Sequence, residues 1–145
     1  MSTEENKALF RRFMQRVANQ GDLSVIHQMM PPDFVENQEL PAGAPQGRDG
    51  VEHFFRQWSQ GFTDRNVTLD LEVAEGDLVT TYQTWRGTHT GEFLGIPATG
   101  KTVKVQAVDI VRVADGLLVE HWGILDMLVL MQQLGVIASE QTCAV

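Results

Sequence analysis

The run Val103-Lys104-Val105-Gln106-Ala107-Val108-Asp109-Ile110-Val111-Arg112-Val113 carries most of the fold information in this chain. Residues of a strand alternate between two faces, so one face holds Val103, Val105, Ala107, Asp109, Val111 and Val113. The other holds Lys104, Gln106, Val108, Ile110 and Arg112. The period is two, and the first face is apolar except for a single carboxylate. A strand with one buried face predicts a sheet covered on that side, with Asp109 drawn into the covered region.

Working outward, Leu117 to about Leu125 predicts the next strand of a hairpin. The intervening Ala114-Asp115-Gly116 suits a three-residue loop with Gly116 in the left-handed conformation. That register predicts Val113 opposite Leu117, Val111 opposite Val119, Asp109 opposite His121, and Ala107 opposite Gly123. A two-residue Asp115-Gly116 turn would instead put Trp122 opposite Asp109 and lose the pair, because a one-residue slip reverses every side chain. Upstream, Val67, Leu69, Leu71 and Val73 alternate with polar residues, and Leu78 to Arg86 follows after Glu75-Gly76-Asp77, giving two more strands. Gly87 to Gly100 predicts a loop or irregular edge.

Before the strands the period is helical. Leu9, Phe10, Phe13, Met14 and Val17 form one apolar face behind a Ser2–Glu5 capping box, and Asn19-Gln20-Gly21 ends that helix. Asp22 caps a short second helix stopped by Pro31-Pro32. The third spans about Arg48 to Gly61, with Val51, Phe54, Phe55 and Trp58 as its stripe. Asp126 caps a last helix, Met127 to Leu134, closed by Gly135. Three helices, at least four hairpin-linked strands and one helix predict an α+β domain with a curved antiparallel sheet. Helices over one face leave a pocket at the open end. The domain is expected over residues 1–137, with 138–145 as a tail.

The net charge of −8 argues against nucleic acid or an anionic membrane as partner. The single cysteine, Cys143, forms no intrachain disulfide, and the polar, acidic N-terminus does not read as a signal peptide. Both point to a cytoplasmic protein. There is no glycine-rich phosphate loop, paired-cysteine zinc pattern, H-E-x-x-H or G-x-S-x-G motif. Neither metal nor cofactor is expected.

The chemistry-bearing candidates are Asp109 and His121. Burial raises a carboxylate's pKa and a nearby imidazolium lowers it, so such a pair in a cleft can hold and move a proton near neutral pH. A satisfied core pair or a dimer contact would leave the same pattern. Glu36 and Asn37 follow Phe34-Val35 and could sit at a pocket mouth. Trp58, Phe62, Trp85 and Phe93 could form a hydrophobic ligand wall, with His89 beside them; aromatic rows also serve as plain core.

The run Gly87-Thr88-His89-Thr90-Gly91-Glu92-Phe93-Leu94-Gly95-Ile96-Pro97-Ala98-Thr99-Gly100-Lys101 resembles the SnoaL-like polyketide cyclase (ester cyclase) family. So do Arg112-Val113-Ala114-Asp115-Gly116, Glu120-His121-Trp122, Gln132-Gln133-Leu134-Gly135 and the loop Pro41 to Arg48. The resemblance spans roughly Glu5 to Val136. It implies the cone-shaped fold shared with nuclear transport factor 2, ketosteroid isomerase and limonene epoxide hydrolase, and a homodimer packed through the sheet. It also implies an intramolecular aldol ring closure driven by an acid–base carboxylate, without metal or organic cofactor. By position, the cyclases' catalytic aspartate falls at Gly123, their pocket glutamine near Ala107, their pocket asparagine near Glu36 and their pocket histidine at Asp109. The oxyanion-stabilising aspartic acid of ketosteroid isomerases also matches Asp109. Arg112 has the wrong parity to join Asp109 in the Asp–Arg–Asp set of limonene epoxide hydrolase.

The expectation is an enzyme using Asp109, His121 and Glu36 for cyclisation or isomerisation of a small hydrophobic carbonyl compound. The rival is a non-catalytic small-molecule binding protein on the same scaffold.

Overall fold

The computed structural model describes residues 1–138. Cys143 and all but the first residue of the expected tail lie outside them. Among the described residues there are four α-helices and five strands, in the order α1 (Thr3–Met14), α2 (Ser24–Met29), β1 (Val35–Glu36), α3 (Gly47–Gly61), β2 (Phe62–Glu75), β3 (Leu78–His89), β4 (Thr102–Ala114), β5 (Leu117–Leu125) and α4 (Met127–Leu134). The sheet order is β1-β5-β4-β3-β2. The four long strands pair antiparallel as expected. The short β1 adds a parallel edge beside β5, with Glu36 opposite His121, so the sheet is mixed. No helix among the described residues is long and apolar enough to cross a membrane.

The capping box forms at α1: Ser2 Oγ accepts from Glu5 N at 3.1 Å, and Glu5 Oε1 accepts from Ser2 N at 3.2 Å. Leu9, Phe10, Phe13 and Met14 are buried. The helix does not simply fray at Asn19: it widens into a π-turn over Gln15–Asn19. The Asn19 side chain then accepts from Val67 N at 2.6 Å and donates to Val67 O at 3.1 Å, pinning the helix end to β2. Trp58 of α3 donates through Nε1 to Ala18 O. Helices α1 and α3 thus cover one face of the sheet, and the core lies between. The second helix starts at Ser24 with no side-chain cap; Asp22 accepts from Ser24 Oγ instead. At the far end the cap is as expected: Asp126 Oδ1 accepts from Val129 N, and Gly135 closes α4 at φ 78°.

The β4–β5 hairpin corrects the expected register. Ala114 pairs with Leu117 across a two-residue turn, with Asp115 at φ 52° and Gly116 at φ 74°. Positive φ at both central residues belongs to the turn whose twist suits a two-residue hairpin. That turn alone would have reversed β5. A bulge follows at once: Val113 pairs with Leu118 but Arg112 with Glu120, leaving Val119 unpaired. An extra residue in one strand shifts its alternation by one. The inward face is therefore restored, displaced by two residues: Val111 faces His121, Asp109 faces Gly123, and Ala107 faces Leu125.

Candidate active site

Asp109 and His121 both point inward from neighbouring strands, and they meet diagonally rather than directly. Diagonal neighbours on one face of an antiparallel pair are within reach of long side chains. The imidazole crosses above Gly123, and His121 Nε2 lies 2.6 Å from Asp109 Oδ1. Its other nitrogen, Nδ1, lies 2.6 Å from Glu36 Oε1. The short β1 makes this second contact possible by setting Glu36 level with His121, and Asn37 N donates to His121 O at 2.9 Å to fix the edge. The result is a carboxylate–imidazole–carboxylate row. Its side chains are 4% exposed for Glu36, 14% for His121 and 13% for Asp109.

Beyond Asp109 the row continues through residues that sequence reasoning did not single out. Gln83 Nε2 donates to Asp109 Oδ2 at 2.6 Å and to Thr81 Oγ1 at 2.7 Å. Gln83 Oε1 accepts from Trp85 Nε1 at 2.8 Å. Gln83 and Thr81 are buried on β3. Both oxygens of Asp109 therefore accept a hydrogen bond, as a buried carboxylate requires.

An imidazole set between two carboxylates has acceptors on both sides, so both nitrogens carry hydrogen. Burial pushes the His121 pKa down, but the hydrogen bonds to Asp109 and Glu36 and the pull of their charges outweigh it and raise it from 6.5 to about 10. His121 is an imidazolium at neutral pH, and the row carries one net negative charge.

The row forms the polar end of a cavity of about 70 Å³. Phe10 and Phe13 of α1, Phe54 and Phe55 of α3, and Trp85 of β3 wall it; Gln38 and Leu40 come from the loop after β1. The space holds only a few water-sized bodies, so a bicyclic ligand enters by displacing side chains. Of the expected aromatic wall, Trp85 lines the cavity. Trp58, Phe62 and Phe93 do not. They pack on one another deeper in the core, with ring centroids 4.6 Å apart for Trp58–Phe62 and 5.1 Å for Phe62–Phe93. His89 joins that cluster: it is fully buried, stacks on Phe62, and its Nδ1 lies within 3.0 Å of Thr99 Oγ1 and 3.2 Å of Thr99 N. Asn37 is exposed and donates to Glu120 Oε2, outside the cavity. Their composition suited a ligand wall equally well, and only packing separates the two roles. Among the described residues no group of three or more His, Cys, Asp or Glu side chains has the arrangement of a metal site; in the row, each imidazole nitrogen is already taken by a carboxylate oxygen.

Residues 8–134 match the family model described as SnoaL-like polyketide cyclase. No curated protein matches the chain at a significant level. Among solved structures, TsrD from Streptomyces laurentii is 31% identical at a TM-score of 0.82, over 94% of this chain and 99% of that one. AclR from Streptomyces galilaeus, a suggested hydroxylase, is 30% identical at a TM-score of 0.82, over 97% of this chain and 87% of that one. IdmH from Streptomyces antibioticus, a suggested polyketide cyclase, is 34% identical at a TM-score of 0.70, over 84% of this chain and 93% of that one.

Proposed function

Since the chain belongs to the SnoaL-like polyketide cyclase family, we propose that it is a cofactor-independent acid–base enzyme acting on a small hydrophobic carbonyl compound, by cyclisation or isomerisation. The observation that carries this reading is the Glu36–His121–Asp109 row at the polar end of an aromatic-walled cavity. A carboxylate held in such a place can take a proton from carbon beside a carbonyl and return it elsewhere. The locked imidazolium keeps the row from carrying two net negative charges, which an apolar cavity would not tolerate. Asp109 is the hydrogen-bonded anchor of the row, His121 orients both acids, and Glu36 is the second carboxylate. The work is taken to be cytoplasmic, on a soluble small molecule.

The test is proton exchange at carbon. In deuterated buffer, 2-tetralone, a neutral hydrophobic ketone, should exchange its α-hydrogens faster with the protein than with buffer alone, followed by NMR. No acceleration for it or for a panel of similar neutral ketones would remove the enzymatic reading. One observation favours the rival, a non-catalytic binding protein: residue 123, where the family resemblance puts the cyclases' catalytic aspartate, is glycine. Tight ligand binding without any exchange is the outcome that reading expects.

A homodimer through the sheet belongs to the same proposal. The sheet face away from the helices exposes Leu71, Val73, Tyr82, Val108 and Ile124, more apolar surface than a solitary domain usually leaves in one place. Sedimentation should give twice the monomer mass, and charged residues at Val108 and Ile124 should return it to the monomer.

A further inference from the structure

The polar end of the cavity is saturated with its own donors. Both nitrogens of His121 are spent on Glu36 and Asp109. Both hydrogens of the Gln83 amide go to Thr81 and Asp109, and the Trp85 indole N–H goes to Gln83. What is left over is an acceptor. Glu36 Oε1 takes His121 Nδ1 and the Gln38 backbone N–H, while Glu36 Oε2 has no hydrogen bond among the described residues. Nor is that oxygen sealed away: among the described residues the fully buried side-chain polar atoms without partners are Asn6 Oδ1, Ser59 Oγ, Arg65 Nε and His89 Nε2. The Gln38 side-chain amide, which both donates and accepts, is the other uncommitted polar group of the lining. Among the described residues no lysine or arginine lines the cavity to offset the row's negative charge.

The geometry points to a ligand that brings its own donor: a neutral aromatic or enolic hydroxyl, whose O–H bonds to Glu36 Oε2 while its ring lies against the wall that Phe54, Phe55 and Trp85 build by packing on one another. This rests on reading the cavity as the ligand site, and it adds which chemistry the site selects. At Glu36 Oε2 a bare carbonyl oxygen would face a carboxylate with no donor between them, and an anion would face like charge. A hydroxyl satisfies the open carboxylate oxygen; an ether of the same shape leaves it unpaired in an apolar space, and leaving a charged acceptor unpaired is costly.

The experiment uses matched bicyclic probes: 2-naphthol, 2-methoxynaphthalene, 2-acetonaphthone and 2-naphthoate, titrated into the whole protein by calorimetry or fluorescence. Wild type should bind 2-naphthol about 10- to 100-fold tighter than the ether, with the ketone and the carboxylate weaker than the naphthol. Glu36→Gln, checked for folding by circular dichroism, should turn its carbonyl to His121 and its NH₂ to the cavity, reversing the ranking so that 2-acetonaphthone outbinds 2-naphthol. Equal binding of ether and naphthol by wild type, or an unchanged ranking in Glu36→Gln, would overturn the assignment. Should Glu36→Gln not fold, the wild-type ranking decides alone. A clear naphthol preference without ketone exchange would uphold the ligand assignment and defeat the catalytic reading; exchange without the preference would do the opposite.

Discussion

Glu36→Gln and Asp109→Asn each slow exchange of the 2-tetralone α-hydrogens, by about 10²- to 10⁴-fold, the usual contribution of a positioned acid or base, while circular dichroism stays native. The two variants fail for different reasons. Glu36 carries the unbonded oxygen, so its amide has no lone pair basic enough to take a proton. Asp109 has both oxygens engaged by His121 and Gln83, so its amide acts through the row. One side of an asparagine still accepts from Gln83, but the other presents an NH₂ to His121 Nε2. That nitrogen must give up its hydrogen, and the ring becomes neutral. Glu36 then loses the facing positive charge. At pH 7 the His121 ring resonances should therefore be those of a neutral imidazole in Asp109→Asn and stay those of an imidazolium in Glu36→Gln, where Asp109 remains its partner. Wild-type rates in both variants would take proton transfer away from this row.

The second large effect is expected at Gly123. A Cβ there would lie 2.5 Å from Asp109 Oδ1 and 2.7 Å from both Cε1 and Nε2 of His121. These are side-chain ends rather than backbone, so in Gly123→Ala the imidazole and the carboxylate are pushed apart and the strands stay paired. Overpacking of this kind costs about 1–3 kcal/mol, and His121 keeps only Glu36 as a charged partner. The His121 pKa should fall from about 10 back toward 6.5, read from its ring resonances. The pH dependence of stability follows from the same shift. Because the folded protein holds this proton more tightly, the row's stabilisation is complete below pH 6.5, where the unfolded chain is protonated too. It declines as the unfolded histidine loses its proton, and it is gone above about pH 10. Urea midpoints should fall over that range in wild type and change much less in Gly123→Ala. A methyl group that leaves the ring titrating near 10 would mean that the glycine has no part in holding the pair.

The sequence exposed Asp109 because a strand with one apolar face makes a carboxylate on that face conspicuous. It also put His121 on the same side, through a register that was not the real one. The expected three-residue turn and the observed two-residue turn with a bulge at Val119 have the same parity, which is all that sidedness needs. Glu36 was visible as a candidate, but its seat against His121 was not: the contact joins residues 85 apart through a two-residue parallel strand, and no local pattern announces it. Gln83 and Thr81 were hidden for another reason. On β3 the inward row Val79, Thr81, Gln83, Trp85 and the outward row Thr80, Tyr82, Thr84, Arg86 both mix polar with apolar residues, so the alternation gives no sidedness. The aromatic rings failed as a guide because core and ligand wall are built from the same side chains.

The unpaired Val119 and the tight Asp115-Gly116 corner depend on each other. Closing the bulge at unchanged chain length would set Glu120 opposite Val111 and turn the histidine out toward solvent, whereas deleting Val119 itself removes the surplus residue and leaves Val111 opposite His121. The hairpin thus stores its spare residue where removing it leaves the site's sidedness intact, while losing the bulge without losing the residue inverts everything beyond it. A lineage carrying this site could therefore shed the surplus residue in a single step and keep the imidazole facing inward.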